Sequence, residues 1–376
     1  VNKYMARVLL VSNDFPPTIG GIQSYLRDFV AALDPHDVVV FASTQDRVAA
    51  ELFDAHVPYR VYRQHRKVML PTWSTIRTMQ EIIRREKIDT VWFGASAPLA
   101  LMARWAKAAG AKKIIATTHG HEVGWSMIPG ARQVLGVIGR NCDVVTYIAD
   151  YTLRRFKKAF GQVSFEHLPS GVDIDRFHVP DAVTKQQLRE QFCWQESLVV
   201  LCSSRLTSRK GQDMLIKAWP AVAKQHPHAR LVIIGAGSYE AKLRALAAGQ
   251  NSIEFAGRVS EDTLVKSLQA ADIFAMPVRT RGGGLDVEGL GIVYLEAQAC
   301  GLPIIAGNSG GAPETVNAES GIVVDGRSLS ELITALHRLL SDTELRANMG
   351  KAGRENVEKH WQWAIMQQRL RRLIEP

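Results

Sequence analysis

Short β-branched apolar runs alternate with amphipathic stretches along almost the whole chain. Val8–Val11, Val38–Phe41, Tyr59–Tyr62, Thr90–Phe93, Ile114–Thr117 and Val144–Ile148 read as strands. Helical periodicity falls near Ile22–Leu33, Thr75–Glu86, Pro98–Ala109 and Tyr151–Phe160. A Pro/Gly break, Leu168-Pro-Ser-Gly-Val-Asp173, interrupts the series, which then restarts. Strands follow at Leu198–Cys202, Leu231–Ile234, Ile253–Phe255, Ile273–Met276 and Pro303–Ala306, with helices at Gln212–Lys224, around Leu243, at Asp262–Ala271 and at Tyr294–Cys300. Strands that are apolar throughout belong to parallel sheets covered on both faces. The pattern therefore predicts an α/β protein with two Rossmann-like, doubly wound domains, 1–169 and 170–357. The tail from Ser328 reads as helical, and its end, about 358–376 with Trp361 and Trp363, is expected to pack back on the first domain.

Bulk properties narrow the picture. The chain has 376 residues, 46% of them hydrophobic, enough for two cores. No apolar run approaches the roughly 20 residues that span a bilayer. The chain runs almost at once into Arg7-Val-Leu-Leu-Val-Ser12 without a signal-peptide pattern, so a cytosolic protein is expected. Cys142, Cys193, Cys202 and Cys300 have neither metal-ligand nor redox spacing and are expected to be reduced and mostly buried. The formal net charge is +9 and lies mainly in the first part: residues 1–170 hold 22 Lys and Arg against 14 Asp and Glu, the remainder 24 against 23. Such an excess suits an anionic partner, whether nucleic acid, membrane phospholipid or substrate.

Ligands of open parallel sheets bind at the carboxyl ends of the strands. Three segments placed there carry chemistry. Gly20-Gly21, at the entrance of the first helix, lets backbone amides approach an anion. Arg205 and Lys210 lie five apart in the loop after the first strand of the second domain and can converge on a diphosphate, Arg as a fork and Lys as a point charge. Glu288 and Glu296 are separated by seven residues, with Gly289, Gly291, Ile292 and Val293 between them forming a loop and first helical turn whose amides can meet sugar hydroxyls and phosphate. Asp173-Ile-Asp175 imitates a metal-binding pair, but its place in the interdomain break argues against that role. Gly235-Ala-Gly237 lacks the third glycine of a dinucleotide fingerprint and reads as a packed turn.

These segments together resemble family 4 of the retaining glycosyltransferases with the GT-B fold, over essentially the whole chain. Glu288 and Glu296 match its E-x7-E signature, Arg205 and Lys210 its diphosphate pair, Gly20-Gly21 its glycine loop, and Pro169 to Phe177 its P-x-G-V-D-x3-F segment. The resemblance implies two domains facing across a cleft, a nucleotide-sugar donor, retention at the anomeric carbon and no required metal or other cofactor. It places a histidine of Thr117-Thr-His-Gly-His-Glu122 against the donor sugar: His119 first, His121 as the alternative. Glu288 is expected on sugar hydroxyls and Glu296 on the ribose; loop backbone at Gly257-Arg258-Val259 is one candidate among many for contact with the base, whose identity the sequence does not give.

The run from Arg279 to Val293 looks like the actinobacterial phosphatidylinositol mannosyltransferases that use GDP-mannose. That likeness implies mannosyl transfer to an anionic phosphatidylinositol mannoside, by a cytoplasmic protein peripherally bound to the inner face of the plasma membrane. The basic first half agrees with it. Arg60, Arg63, Arg66 and Lys67 precede an apolar step, and Arg154, Arg155, Lys157 and Lys158 lie on a helix with Leu153, Phe156 and Phe160. Rival readings are a family 4 enzyme with a soluble acceptor or another nucleotide sugar, a nucleotide-sugar 2-epimerase, and a non-catalytic carbohydrate- or nucleic-acid-binding protein. Little aromatic interleaving accompanies the basic patches, so no nucleic-acid partner is expected.

Overall fold

The computed structural model describes residues 6–18 and 20–375. The chain divides into two units, one of residues 1–170 with 364–376, the other of residues 171–363. The first unit runs β1 (Val8–Ser12), α1 (Gly21–Ala31), β2 (Val38–Ser43), α2 (Arg47–Asp54), β3 (Arg60–Gln64), α3 (Trp73–Glu86), β4 (Thr90–Phe93), α4 (Ala103–Ala108), β5 (Lys113–Thr117), α5 (Glu122–Met127), α6 (Pro129–Asn141), β6 (Val144–Tyr147), α7 (Asp150–Phe160) and β7 (Ser164–His167). The second runs α8 (Ala182–Gln191), β8 (Leu198–Ser203), α9 (Gln212–Gln225), β9 (Ala229–Ile234), α10 (Glu240–Leu246), β10 (Ile253–Gly257), α11 (Glu261–Ala270), β11 (Ile273–Met276), α12 (Ile292–Ala299), β12 (Ile304–Gly307), β13 (Gly321–Val324), α13 (Leu329–Ser341) and α14 (Thr343–His360). A last helix, α15 (Trp363–Ile374), carries the chain back into the first unit.

The sheets are ordered β3-β2-β1-β4-β5-β6-β7 and β10-β9-β8-β11-β12-β13. All neighbouring strands are parallel. Each is the doubly wound α/β arrangement expected from the alternating pattern. Strand order reverses between β1 and β4 in one sheet and between β8 and β11 in the other, so each unit has its switch point beside its own first strand. Central strands such as Val8–Ser12 are fully buried. Trp92, Phe29 and Phe41 fill the core of the first unit, and Trp219, Phe274 and Tyr294 that of the second. Each such side chain contributes about 1.5–3 kcal/mol through burial.

Several elements escape the sequence pattern. β7 alternates exposed and half-buried positions at a sheet edge, and β13 is a four-residue edge strand, so neither shows a long apolar run. The stretch predicted as one helix at Pro98–Ala109 starts as a 3-10 turn over Leu99–Met102. The tail also departs from expectation. α14 stays with the second unit, and the return begins at Ala364 rather than near 358. Trp361 and Trp363 remain in the second unit, bracketing Val172: its N–H donates to the Trp361 carbonyl at 2.7 Å and its carbonyl accepts from the Trp363 N–H at 3.2 Å. A Cβ on Gly171 would meet the Trp363 Cα at 2.8 Å, which explains the glycine in that segment. Beyond it, α15 is tied down by the Thr90 hydroxyl donating to the Ile374 carbonyl at 2.8 Å.

Cys142, Cys202 and Cys300 are buried, Cys193 is exposed, and all four are free thiols. Packing between α6 and α7 depends on Gly139, where a Cβ would lie 1.9 Å from the Phe160 carbonyl oxygen. Gly139→Ala is therefore expected to cost the first unit about 2–3 kcal/mol by overpacking, read as a lower midpoint in denaturant.

Candidate active site

The switch point of the second sheet explains why residues far apart in sequence meet. β8 and β11 are neighbours, so the loops leaving their carboxyl ends, 204–211 and 277–291, lie side by side. Lys210 Nζ donates to Glu288 Oε2 at 2.8 Å, and both side chains are nearly buried. Arg209 stands on the same carboxylate at 3.8 Å, reaches Asp286 Oδ1 at 3.4 Å and donates to the Val287 carbonyl. Burial would raise the pKa of Glu288, but Lys210, Arg209 and Arg205 together hold it below the usual carboxylate range. The Arg205 side chain is exposed beside them. A second arginine fixes the far loop from below: Arg279 Nη2 donates to both carboxylate oxygens of Asp213, at 2.8 and 3.0 Å, in the first turn of α9.

Glycines allow the close approaches here. Gly211 has φ +81 and a Cβ on it would fall 2.1 Å from the Pro277 carbonyl oxygen. Gly235 and Gly237 let the loop after β9 lie on the backbone of Ser204 and Leu206, supporting the segment that carries Arg205. α9 and α12 both begin at left-handed glycines, Gly211 and Gly291, with no side-chain cap, and α1 begins at Gly20, also uncapped. Side-chain caps from Asp, Ser or Thr close α2, α3, α8, α11, α13 and α14, whereas α4, α5, α6, α7 and α10 also lack one, so the left-handed glycine start is what sets α9 and α12 apart. Uncapped first turns leave amides such as those of Ile292 and Val293 open to an anionic ligand. Gly21 is not at positive φ and a Cβ there would meet nothing within 4 Å, so nothing in the fold itself demands a glycine.

Glu296 is half-buried on α12, and its carboxylate makes no hydrogen bond among the described residues. Burial first, and then the charge of Glu261, push its pKa up to about 7 against an opposing pull from Arg176. Hydroxyl donors from a ribose would favour the ionised form. Affinity gained this way is present above that pKa of about 7 and lost as pH falls through it. Nucleoside diphosphate affinity, measured by calorimetry from pH 8 to pH 5.5, is thus expected to weaken below pH 7, by at most about tenfold per unit. Glu296→Gln should lose that slope. Val259 is half-buried after β10 and packs on the core of the second unit.

In the first unit, β4 and β5 are neighbours, and the loops after them form a rigid corner. Glu122 is fully buried, accepting from the amides of His119 and Gly120, each at 3.1 Å, and from the Ser96 hydroxyl at 2.8 Å. His119 Nε2 donates to the Gly94 carbonyl at 2.7 Å, and burial lowers the ring's pKa, so it is neutral with Nδ1 as its remaining acceptor. Its ring meets Tyr25 of α1 edge-on at 5.1 Å. His121 is more exposed and sits 3.3 Å from Glu122. Asp173 Oδ1 accepts from the amides of Asp175 and Arg176, a turn cap within its own segment.

The basic segments separate into two kinds. Contrary to expectation, Arg63 does not face a partner: only 12% exposed, it clasps Asp54 through two nitrogens and donates to the Ser43 and Pro16 carbonyls, so it anchors the fold. Arg60 is paired with the buried Glu86 at 2.6 Å. Arg66 and Lys67 are exposed beside Val68, Leu70 and Trp73, which are exposed too. On α7, Arg154, Arg155, Lys157 and Lys158 are exposed and pair with no carboxylate among the described residues. Arg155 contacts Met127 Sδ at 3.4 Å, next to exposed Ile128.

Sequence reading missed Arg209, Asp213, Arg279 and Gly310. A Cβ on Gly310, at φ +60, would lie 1.7 Å from the Glu288 carbonyl oxygen, and the amide of Gly311 donates to that same oxygen at 3.0 Å. No local signal marks these positions, because each acts on a loop distant in sequence.

Two doubly wound sheets of this order, with an uncapped helix and paired cations at the second switch point, define a GT-B glycosyltransferase architecture. The HepE protein of Anabaena in complex with UDP shares the fold with a TM-score of 0.81 at 19% identity, over 97% of this chain and 98% of that one. Sucrose-phosphate synthase from Thermosynechococcus elongatus does so with 0.77 at 20%, over 98% of each. The model of "Glycosyltransferase Family 4" matches residues 19–176 and that of "Glycosyl transferases group 1" residues 184–356. The chain is 57% identical, over 98% of each sequence, to the GDP-mannose-dependent monoacylated alpha-(1-6)-phosphatidylinositol monomannoside mannosyltransferase of Corynebacterium glutamicum. It is 49% identical, over 97% of each, to the GDP-mannose-dependent alpha-(1-6)-phosphatidylinositol monomannoside mannosyltransferase of Mycobacterium tuberculosis. This chain belongs to that glycosyltransferase family, as its E-x7-E pair and interdomain segment indicated.

Proposed function

We propose that this enzyme transfers mannose from GDP-mannose to a phosphatidylinositol monomannoside, with retention at the anomeric carbon. The observation that carries the reading is full-length identity of 57% to a transferase named for that donor and acceptor. Chemically, bond cleavage builds negative charge on the β-phosphate of the departing GDP. Arg205, Lys210 and the open amides of α12 answer that charge, and the reaction as proposed uses no metal ion or other cofactor. Donors of this kind are commonly worth about 3–4 kcal/mol each. Glu288 holds sugar hydroxyls, Glu296 the ribose, Gly289 and Gly291 let the backbone close on the donor, and Val259 lies by the base. His119 presents its neutral ring to the sugar. The acceptor hydroxyl attacks from the face the phosphate leaves, and its proton passes to that phosphate.

Acceptor delivery is assigned to a membrane surface at the inner leaflet. No helix among the described residues is long and apolar enough to cross a bilayer. The uncompensated cations of α7 with Met127 and Ile128, and Arg66 and Lys67 with Val68, Leu70 and Trp73, support peripheral contact at about 1 kcal/mol per cation near an anionic surface. Reversing Arg154, Arg155, Lys157 and Lys158 to Glu is expected to weaken sedimentation with phosphatidylglycerol vesicles by at least about tenfold at low salt.

The functional test offers radiolabelled GDP-mannose, UDP-glucose and UDP-galactose in chelator-containing buffer, with phosphatidylinositol monomannoside vesicles or with soluble acceptors. Label from GDP-mannose should move into the lipid. Transfer only to a soluble acceptor, or from another donor, would overturn the reading.

A further inference from the structure

In the second unit Lys210 already carries a carboxylate. Glu288 lies on Lys210 at 2.8 Å, so the carboxylate stands on the cation assigned to the diphosphate. When an anion of about two charges takes Lys210, a nearly buried carboxylate is left behind. Such a group is costly unless another cation meets it, and it otherwise takes up a proton. Resting on the donor-site reading above, we propose that Arg209 is a positioning residue that receives Glu288 when the donor takes Lys210, keeping the carboxylate ionised and aimed at the sugar.

The geometry supports this in three ways. Arg209 Nη2 already stands 3.8 Å from the same Oε2 atom, just beyond a direct bond. Its Nη1 is anchored on the Val287 carbonyl, one residue before Glu288, so the guanidinium moves with the loop it serves. Its other ionic contact, Asp286 at 3.4 Å, is half-exposed and readily hydrated, so weakening it costs little. The backbone is pinned as well, since the Arg209 carbonyl accepts from the Arg279 amide at 2.9 Å. Besides Lys210 and Arg209, the charge felt at Glu288 is that of Arg205, exposed on the same loop as Lys210; Glu288 in turn helps keep the buried Tyr294 phenol of α12 neutral. Tyr294 already donates to the Met276 carbonyl, so Arg209 is the cation placed to take over.

The test compares Arg209→Gln and Arg209→Lys with Lys210→Gln in the full-length protein, using GDP binding, pH profiles of turnover with GDP-mannose, and melting temperature. GDP also takes Lys210 but carries no sugar, so Arg209→Gln should weaken GDP binding by less than Lys210→Gln does, with the loss shrinking at lower pH as Glu288 takes up a proton, while kcat falls roughly 10- to 100-fold. Removing the cation raises the pKa of Glu288. The acid limb of kcat, which reports the donor complex, should therefore move up by about one pH unit, and that of kcat/KM, where Lys210 still pairs with Glu288, by less. Arg209→Lys should restore part of both the rate and the limb. If Arg209→Gln does not fold, Arg209→Lys decides alone: a kcat limb raised with GDP binding weakened by less than in Lys210→Gln supports the assignment. Loss of GDP affinity as large as that of Lys210→Gln would make Arg209 a phosphate ligand and overturn it. A slower or less stable variant with an unmoved kcat limb would reduce it to a structural role and overturn it too. Failure of the parent itself to bind GDP would instead sink the donor-site reading on which it rests.

Discussion

Lys210→Gln is expected to lower kcat/KM for the donor by about 10²–10³, the loss that follows removal of one pre-aimed donor to a departing anion. Two effects add. The β-phosphate loses its point charge, and Glu288 loses its 2.8 Å partner in a place where both side chains are only about a tenth exposed. Removing one member of such a buried pair typically costs about 3–5 kcal/mol of stability. The folded-state pKa of Glu288 is held down by its cations, so their stabilisation is present above the ordinary carboxylate range and lost as pH falls through the depressed value. Lys210→Gln should therefore lose more stability at pH 7 than at pH 3. Steady-state kinetics with GDP-mannose and urea unfolding at both pH values check the two halves of this expectation separately. Unchanged GDP affinity would remove Lys210 from the phosphate site.

Gly310→Ala is the second large effect, and it involves no functional group at all. The added methyl would fall 1.7 Å from the Glu288 carbonyl oxygen, at a φ of +60 that an L side chain rarely adopts. Overpacking typically costs about 1–3 kcal/mol, and the left-handed backbone about 1–2 more. Relief requires the Glu288 backbone to move and the Gly311 amide to lose its acceptor. A displacement of about 1 Å at a catalytic group commonly lowers turnover about 100-fold. Gly283→Ala is the control: φ is +62 there, but a Cβ meets nothing within 4 Å. It should carry only the backbone cost, about 1–2 kcal/mol, with turnover within a few-fold of the parent. Equal effects of the two alanines on kcat would show that crowding of Glu288 is not the cause.

Legibility in the sequence followed the range of the physical signal. Lys210 and Glu288 were readable because each sits in a glycine-bearing loop between a recognisable strand and helix. Two of the four edge strands, β7 and β13, were not, because β7 has alternating exposure and β13 only four residues. Arg63 looked like a partner-facing cation in a basic run. The structure places it on Asp54 instead, nine residues back, through the pairing of β3 with β2 and the turn of α2. Arg60 likewise meets Glu86, which α3 brings round from 26 positions away. On α7, by contrast, the four cations pair with no carboxylate among the described residues.

The sequence by itself determined the two doubly wound units, the loops that carry the chemistry and the family, since strand period, glycine position and motif spacing are local properties of the chain. Only the tertiary structure decided which charges are free. Whether a cation is spent on a carboxylate or left for a ligand depends on what the sheet order brings beside it. The adjacency of β8 and β11 puts Arg209 and Lys210 against Glu288 at sequence separations of 78 or more, and no periodicity along the chain encodes that meeting.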